Sequence, residues 1–540
     1  MRQGLPMYRT DDERGIAMVV VMLSLTILMI LAVAGIQFGL GSQNSSKRDA
    51  DWQGSLSAAE AGIDDYMFRL NENTNYSVYN STNLPTDGNL AFSQYVPIPG
   101  GASLGYFRYT VDTSNLVSAG TIVLTSTGKV RTAKRTVQAT LRRRNFLDYL
   151  YFTEYETVDP ASYTGNPYTA DEAKIPCTKH YYDGRNSQCS DIVFVTADTI
   201  NGPLHSNDAI KICGSPNFNG KTSTSWNPSS GNRWRDGCPT SNPDFAISGD
   251  PKYAVPLYMP PSNQALKAQT TSTTGGCLYT GPTRIRLLAN GQMTVKSPFS
   301  QQTNNACPTN GTGNKPSNGV IYVQGVPATT TDANYTSGCP YNVNGRAHPL
   351  GLPIANDLTS YGCRNGDAFV EGTLNGQLTI AADNNVDITW NLTYNGGTGG
   401  TDLLGLIANN FIEIWHPVNC SSGNNSSCNL DVNFPGETVR NTEFTSPTIQ
   451  AALLAINHSF RVQNHSVGAP LGTINLTGVI GQQFRGPVGT NSNGSIASGY
   501  AKNYNYDLRM KYQSPPKFLD PVKSAWAIAV WKEIQVPAGM

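Results

Sequence analysis

The chain has 540 residues, and its 38 lysines and arginines balance its 38 aspartates and glutamates, so the formal net charge is zero. This balance gives no indication of a strongly acidic or basic partner. Only 14% of the residues are charged, glycine is abundant, and tyrosine exceeds phenylalanine. Such a composition favours a turn-rich β protein outside the cytoplasm over a helical cytosolic enzyme, and the length allows two to four domains.

The first feature in chain order is an uncharged apolar stretch, residues 16–40, which follows a short charged leader, residues 1–15. A helix of this length extends about 37 Å, which exceeds the roughly 30 Å hydrocarbon core of a bilayer. No small-residue cleavage site follows the stretch, as one would follow the apolar region of an ordinary secretory signal. The sequence therefore predicts a transmembrane helix that the mature protein keeps.

The residues around this helix resemble the N-terminus of type IV prepilins. The matching residues are Arg14-Gly15, followed by Ile16 and the apolar run, and the segment Ala58-Ala-Glu-Ala-Gly62 narrows the resemblance to PilX-type pilus assembly proteins. The resemblance implies that a prepilin peptidase cuts between Gly15 and Ile16, and that the partners are other pilin subunits and the pilus assembly machinery. It also implies a single pass through the cell membrane, with the N-terminus in the cytoplasm and the C-terminal part at the cell surface or in a pilus.

One residue departs from the pattern of most pilins, which have glutamate at the fifth mature position. After cleavage at Gly15 that position is Val20. The absence of the glutamate favours a minor pilin that initiates or caps a filament over a major subunit. An uncleaved membrane anchor is the alternative interpretation of the same helix.

Residues 41–156 are predicted to form a pilin-like α+β head. Apolar residues recur at three- and four-residue spacing from Leu56 to Leu70, so the helix is expected to continue there and to pack one face on a sheet. Aromatic and β-branched runs predict the strands of that sheet. The predicted strands cover residues 105–112, residues 121–128, which end at a glycine turn, and residues 129–141.

The densest positive charge lies at the end of this head. One interpretation is contact with DNA or another acidic polymer, and the alternative is a solvated strand face that also protects a sheet edge. The residues of this basic run are Lys129, Arg131, Lys134, Arg135, Arg142, Arg143 and Arg144.

Ten cysteines follow the anchor, and an even number suits a disulfide framework in an oxidising compartment. No C-x-x-C pair and no zinc-finger spacing occurs, so no metal site is predicted. Residues 157–189 are expected to be a linker with a disulfide loop. Spacing does not fix the connectivity, but loops closed at their bases favour sequential pairing: Cys177–Cys189, Cys213–Cys238, Cys277–Cys307, Cys339–Cys363 and Cys420–Cys428.

Residues 190–520 are predicted to form a large, mainly β extracytoplasmic domain. Short strand-like runs alternate with glycine and asparagine turns, which suits a parallel β-helix or solenoid, with a β-sandwich as the alternative. Loop insertions are expected at residues 214–275, 297–318 and 328–364. Two apolar stretches, residues 402–410 and 446–457, are predicted to be helical, and residues 521–540 are predicted to close the last coil.

No combination of residues predicts catalysis, so we expect the protein not to be an enzyme and to need no cofactor. His205, His458 and His465 have no catalytic pattern around them and are predicted to be structural. The predicted function is therefore that of a minor pilin or tip subunit that displays a β domain for adhesion or assembly. Its ligand, a surface or a glycan, is unknown.

Two other functions remain open. The first is a membrane-tethered β-helical polysaccharide lyase or hydrolase, whose carboxylates would come from Asp383, Asp387 and Asp402. The second is a pseudopilin of a secretion or DNA-uptake system that uses the basic run. Fold analogy alone licenses neither activity.

Overall fold

The computed structural model describes the whole chain except residues 1–12, 117–120, 144, 248, 302–306, 339–349, 351, 353–361, 421–427, 431–443, 493–494, 522–525 and 540. It divides into two compact units. The head unit contains residues 1–143 and 525–540, and the ladder unit contains residues 144–524. The boundaries differ from the predicted ones, because the last residues of the chain belong to the head unit.

The head unit begins with one long helix, α1 (Glu13–Glu72). Its first part is long and apolar enough to cross a membrane, by length and composition. Its second part buries one face, formed by Ala58, Ala59, Ile63, Tyr66 and Leu70. The three- and four-residue spacing of these side chains keeps them on one side of the helix, as the sequence predicts.

The buried face of α1 packs on an antiparallel sheet. The strand order is β1-β2-β3-β4-β32, and all four pairings are antiparallel. The strands are β1 (Val96–Pro97), β2 (Tyr106–Asp112), β3 (Thr121–Val130), β4 (Ala133–Arg143) and β32 (Trp526–Ile534). The core between helix and sheet is aromatic, with Tyr66, Phe92 and Tyr109 meeting edge to face.

Two predictions for this unit are corrected. The turn after β3 lies at Arg131, which has a φ of 52°, and Gly128 lies inside the strand. A methyl group at Gly128 would overlap the backbone of Ser55 and Ala59 in α1, so glycine is needed there for close packing and not for a turn.

Residues 526–534 do not close a coil but add a fifth strand to the head sheet. Their run of apolar side chains from Trp526 to Trp531 suits the edge of β4 that β3 leaves unpaired.

In the part of the ladder unit that the structure describes there are 27 strands, most of them short. They are β5 (Tyr151–Val158), β6 (Phe194–Val195), β7 (Thr199–Asn201), β8 (Leu204–Ser206), β9 (Lys211–Cys213), β10 (Asn217–Phe218), β11 (Thr222–Thr224), β12 (Arg235–Asp236), β13 (Asp244–Phe245), β14 (Lys252–Tyr253), β15 (Cys277–Thr280), β16 (Thr283–Leu287), β17 (Gln292–Lys296), β18 (Asn310–Asn314), β19 (Val320–Gln324), β20 (Ala368–Leu374), β21 (Gln377–Ala382), β22 (Val386–Tyr394), β23 (Leu403–Ala408), β24 (Ile412–Ile414), β25 (Val418–Cys420), β26 (Cys428–Leu430), β27 (Thr448–Ala455), β28 (Phe460–Val462), β29 (Pro470–Arg485), β30 (Gly489–Ser492) and β31 (Ser495–Tyr506). Two short helices, α2 (Ala170–Cys177) and α3 (Gln264–Lys267), lie between them.

Most of these strands pair in parallel ladders. One ladder runs β15-β19-β21-β23-β27-β29-β31-β7-β10-β13. A second runs β16-β20-β22-β24-β28, and a third runs β29-β5-β8-β11-β14. One apolar core, with Ile200, Ile321, Leu406 and Leu453 among its members, continues through the unit. The domain is therefore mainly β, as predicted.

Strand order in the ladders differs from strand order in the chain. β31, which ends at Tyr506, pairs with β7, so one of the last strands of the unit lies beside one of the first. The segment Leu508–Lys511 and residues after it then pack over the ladder, where the ring of Phe518 lies close to Gly405 and the hydroxyl of Thr379 donates to the carbonyl of Pro516.

Four predictions for the ladder unit are corrected. The stretches 402–410 and 446–457 contain β23 and β27 and are not helices, because a short apolar run that is buried on both faces suits a ladder strand equally well. Residues 214–275 are not a simple insertion, since β10, β11, β13 and β14 extend the ladders. β5 belongs to the ladder unit and not to the head, because its apolar residues pair with β29 and β8. Much of the predicted insertion 328–364 lies outside the described residues.

The ladder unit is inserted into the head sheet. The chain leaves the sheet after Arg143 in β4 and returns at Trp526 in β32, and these two residues are register partners. Both connections of the ladder unit therefore start at the same end of two neighbouring strands.

Candidate functional site

The apolar part of α1 presents an exposed surface. Its large side chains from Met18 to Ile36 are roughly half to two-thirds exposed, including Val20 at 60% and Ile30 at 67%. Ser24 and Thr26 turn their hydroxyls back to carbonyls of the preceding helical turn, so they add little polarity to this surface. A surface of this kind requires lipid or other apolar helices around it.

The predicted processing residues, Gly15 and Ile16, lie in the first turn of α1, which begins at Glu13. Their side chains are outside the described part of the structure. The leader before Glu13 also lies outside it, so cleavage between these residues remains a prediction.

The close contact between α1 and the sheet depends on small residues of the segment Ala58-Ala-Glu-Ala-Gly62. Ala58 and Ala59 are fully buried. A methyl group at Gly62 would overlap the side chains of Ser126 and Phe107. The motif that carried the prepilin resemblance therefore has a packing role at the helix–sheet contact.

The residues of the basic run do not form one continuous patch. Lys129 and Lys134 are register partners and both lie 5.6 Å from the ring centroid of Tyr95. Arg142 and Arg143 lie at the far end of β4, about 27 Å away in an extended strand. Arg144 is outside the described residues.

The two arginines of the hairpin end have acidic partners. Arg131 contacts Asp51 at 3.1 Å, and Arg135 makes a bidentate contact with Glu533 at 2.6 and 2.7 Å. The guanidinium of Arg135 also lies 5.0 Å from the ring centroid of Trp52. These contacts neutralise part of the positive charge that a polyanion would need.

Among the described residues, three disulfides have both of their cysteines placed: Cys177–Cys189, Cys213–Cys238 and Cys277–Cys307. They are three of the five predicted sequential pairs. Cys363 is disulfide-bonded, but Cys339 lies outside the described residues. The backbones of Cys420 and Cys428 are direct partners in the β25–β26 pair, and their side chains are not described.

The three aspartates considered for catalysis do not meet. Asp383 accepts hydrogen bonds from Gln264, Tyr322 and the backbone of Gly325. Asp402 accepts from the backbone N–H groups of Gly376 and Gly396 at 2.6 and 2.7 Å. These two carboxylates therefore hold turns of the ladder.

Asp387 instead meets an acidic residue that the sequence analysis missed. Asp387, Glu413 and Arg461 occupy the same register position on β22, β24 and β28. The side-chain amide of Gln463 donates to Asp387 at 2.9 Å and to Glu413 at 2.8 Å. Burial raises the pKa of Asp387 well above its usual value, and the negative charges of Glu413 and Asp367 raise it further.

This carboxyl pair is closed off from solvent. Asp387 and Glu413 are both 0% exposed, and Arg461 contacts Glu413 at 2.5 Å while its guanidinium lies 3.6 Å from the ring centroid of Phe411. The pair therefore lies in the interior, in a position that a bulky substrate does not reach. The register of strands far apart in sequence brings the pair together, so no local motif could have revealed it.

The histidines have structural partners. His205 is fully buried, with its ring nitrogens 3.0 Å from the hydroxyl of Ser223 and 3.1 Å from the side-chain oxygen of Asn207. His458 lies 3.0 Å from Asp159. Burial lowers the pKa of His465 to about 4, and the positive charges of Arg461 and His416 contribute. Among the described residues, no group of three or more His, Cys, Asp or Glu side chains could hold a metal ion.

The ladder unit also carries a group of exposed tyrosines that the sequence analysis did not identify. We call Tyr181, Tyr182, Tyr253 and Tyr258 the tyrosine platform. Their side chains are between 42% and 51% exposed. The sequence signal that could have revealed the first two is their position inside the loop that Cys177 and Cys189 close.

Comparison with known proteins gives little similarity. No protein-family model matches the sequence, and no curated protein shows significant similarity to it. Among solved structures, the crystal structure of the competence-associated pilin ComZ from Thermus thermophilus is similar over 90% of this chain and 97% of that chain. The sequence identity is 14% and the TM-score is 0.26, a level of likeness from which no conclusion about this chain follows.

Proposed function

We propose that this chain is a minor pilin of the PilX type. In this proposal a prepilin peptidase removes the leader after Gly15, and the apolar part of α1 anchors the protein in the membrane and packs among other pilin helices in a filament. The N-terminus lies in the cytoplasm, and both units after the membrane-spanning part lie outside.

The observation that carries the proposal is the dual character of α1. One uninterrupted helix, Glu13–Glu72, has an exposed apolar first part and a second part that packs across an antiparallel sheet. A plain membrane anchor needs only the first of these features. A subunit that assembles through its helix and carries a compact head on the same helix needs both.

We further infer that the parallel ladders are successive coils of a β-helix that the subunit displays for adhesion or for assembly. The parallel pairing of strands that lie 26, 47 and 59 residues apart in the chain (Gln377 with Leu403, Gly405 with Ala452 and Val320 with Thr379) supports this inference, because each pairing joins one turn of chain to the next. Disulfides in this unit suit a location outside the cytoplasm.

The experiment that tests the anchor is a measurement of the N-terminus of the protein recovered from its own cells, by mass spectrometry. We expect a start at Ile16. A Gly15→Leu variant should retain the leader, and a Gly4→Leu variant, changed elsewhere in the leader, should be cut normally. An intact leader on the unchanged protein would contradict processing and leave a simple membrane anchor.

A polysaccharide lyase or hydrolase remains the second candidate, because Asp387 and Glu413 lie side by side with Arg461 next to them. Paired carboxyls of which one keeps a proton are typical of glycoside hydrolysis. Their complete burial argues against this function. Polysaccharide cleavage by the protein that an Asp387→Asn change abolishes, with the protein still folded, would favour it over display.

A further inference from the structure

The exposed aromatic side chains of the ladder unit are concentrated in the tyrosine platform. Its members, Tyr181, Tyr182, Tyr253 and Tyr258, are 42%, 42%, 51% and 46% exposed. Clustered exposed rings mark a binding site more often than single ones do. We propose that the tyrosine platform binds the sugar rings of an uncharged polysaccharide. This proposal specifies the ligand of the displayed unit, and it rests on the proposed location of that unit outside the cell.

The four rings lie close together although they come from two segments of the chain. The hydroxyl of Tyr182 donates to the carbonyl of Asn207 at 3.0 Å, and the side-chain amide of Asn207 donates at 2.5 Å to the carbonyl of Leu257, the residue before Tyr258. Tyr253 is the register partner of Thr224, which lies two residues before Trp226. The two segments therefore present one surface. Trp226 extends it, since its ring meets that of Tyr181 edge to face at a centroid distance of 5.9 Å.

The platform is built on a rigid base. The Cys177–Cys189 disulfide closes the loop that carries Tyr181 and Tyr182, and the backbone N–H of Tyr181 donates to Asp208 at 2.7 Å. The ring of Tyr182 stacks on the ring of His180, with a centroid distance of 5.1 Å and an angle of 8° between the ring planes. Tyr253 lies on β14, which pairs with β11 of the ladder.

A second disulfide supports the neighbouring side chains. Cys213–Cys238 closes the loop that contains Trp226 and Arg235. The guanidinium of Arg235 lies 3.6 Å from the ring centroid of Tyr181. Groups held in place before binding lose little conformational entropy when a ligand arrives, so this arrangement favours affinity.

The chemistry of the platform matches a sugar ring. A pyranose ring has a flat C–H face and a rim of hydroxyl groups. Tyrosine offers a flat apolar face with a polar edge and only two side-chain torsions to restrain. Polar groups stand beside the rings, including the carboxylate of Asp183, whose side chain is 54% exposed and can accept hydrogen bonds from hydroxyls.

Several charged groups around the platform are paired with one another. Asp183 contacts His180 at 2.9 Å, and Asp191 contacts Arg185, Arg235 and Lys211 at 2.7, 3.0 and 3.2 Å. Asp208 contacts Arg185. A single-stranded nucleic acid would need stacking rings combined with cations available for its phosphates. Because Arg185, Arg235 and Lys211 already have carboxylate partners, an uncharged polymer fits this part of the site better than a polyanion does.

The test measures binding of the full chain, purified in detergent, to immobilised dextran, mannan and chitin. We expect retention on at least one of these polymers, and we expect it to persist between 50 and 500 mM salt, concentrations chosen because phosphate contacts weaken strongly over that range. Tyr253→Ala and Tyr258→Ala should each weaken binding roughly fivefold or more, as the loss of an aromatic anchor does. Tyr512→Ala, which removes a tyrosine that is 62% exposed in the same unit, is the matched control and should bind normally.

Three results would overturn the proposal. They are no retention on any of the three polymers, equal losses in the control and in the platform variants, and salt-sensitive binding to a single-stranded oligonucleotide in place of sugar binding. Because the replaced rings are about half exposed, the variants should fold, and intact Cys177–Cys189 and Cys213–Cys238 disulfides in each variant would show that they do.

Failure of this proposal and failure of the pilin proposal give different results. A protein that starts at Ile16 but binds none of the polymers would overturn the sugar site and leave the pilin role standing. A protein that keeps its leader but binds sugar through the platform would overturn the pilin role and leave the site standing.

Discussion

Gly128 of β3 lies directly against Ser55 of α1, so closely that a methyl group at position 128 would overlap the carbonyl oxygen of Ser55. The helix can approach the sheet to this extent only because one side of the contact lacks a side chain. The same applies at Gly62, where the side chains of Ser126 and Phe107 occupy the space that a methyl group would need. The head core therefore depends on missing side chains as well as on apolar ones.

The first prediction concerns this contact. We expect Gly128→Ala to destabilise the head unit by about 1–3 kcal/mol, because the added methyl group forces α1 away from β3. Hydrogen exchange of the β3 and β4 amides in the full chain would show the loss as faster exchange. Gly41→Ala is the control, since nothing lies within 4 Å of that position, and it should leave the exchange unchanged.

A second prediction concerns β32. Trp526 is 5% exposed in the head core, whereas Trp531 on the same strand is 44% exposed. We expect Trp526→Ala to cost about 3–5 kcal/mol of head stability, and Trp531→Ala to cost much less. Thermal unfolding of the two variants would separate them. Equal losses would contradict the assignment of residues 526–534 to the head core.

A third prediction tests the minor-pilin argument. If Val20 is the fifth mature residue, Val20→Glu should increase incorporation of the subunit along filaments, because it restores the glutamate of most pilins. Counting labelled subunits per pilus by electron microscopy would measure this. Val21→Glu, one position along the helix, should not have the effect. Unchanged pilus number and composition for Val20→Glu would count against the argument.

A fourth prediction follows from Asp367, which is buried at the start of β20. Burial raises its pKa to about 7, and Glu413 contributes, although hydrogen bonds from Asn385 and Asn384 oppose the rise. In an unfolded chain the pKa is about 3.9. The folded state therefore binds this proton more tightly, and this group's contribution to the free energy of unfolding falls as pH rises from about 4 to about 7, by roughly 4 kcal/mol.

The variant that checks this is Asp367→Asn, whose amide oxygen can still accept both hydrogen bonds. We expect the loss of ladder-unit stability between pH 5 and pH 8 to be clearly smaller in this variant than in the unchanged protein. Asp236→Asn, which removes an exposed carboxylate, should not reduce the loss. Denaturant unfolding at the two pH values provides the measurement.

A fifth prediction compares a buried ion pair with an exposed one. Arg485 and Glu156 are 1% and 0% exposed and lie 3.1 Å apart, with Phe194 under the guanidinium at 3.5 Å. Arg485→Ala leaves Glu156 as an unpaired buried charge and should cost about 3–5 kcal/mol. Lys174→Ala removes the ion pair between Lys174 and Asp171, whose side chains are 68% and 88% exposed. This change should lower the free energy of unfolding by less than about 1 kcal/mol. Similar denaturation midpoints for both variants would contradict this ranking.

The sequence predicted the elements whose signals are local. The apolar stretch, the stripe from Leu56 to Leu70 and the three strand-like runs are local signals, and α1, β2, β3 and β4 form there, with the turn between β3 and β4 at Arg131 and not at Gly128. The strand β32 could not be placed in the same way. Its partner β4 lies several hundred residues earlier in the chain. An apolar strand at the end of a chain does not indicate which sheet edge it will join.

The wrong predictions for the ladder unit have a physical cause. The runs Leu403–Ala408 and Thr448–Ala455 are apolar without a strict period, which suits a buried helix or a buried strand. The pairing of Asp387 with Glu413 depends on strand register, and the tyrosine platform depends on a loop meeting a distant strand. Neither of these relationships can be obtained from one sequence without knowing which strands are neighbours.

The insertion of the ladder unit between Arg143 and Trp526 has a consequence for its detachment. The unit is covalently held at two points, and each point leads into a different strand of one sheet. If a protease cuts only the connection after Arg143, the ladder unit stays bound through β32, which is hydrogen-bonded to β4. If it cuts only the connection before Trp526, the unit stays covalently joined to β4. Release of the whole unit therefore requires two separate cleavages, or one cleavage after Arg143 followed by separation of β32 from the sheet.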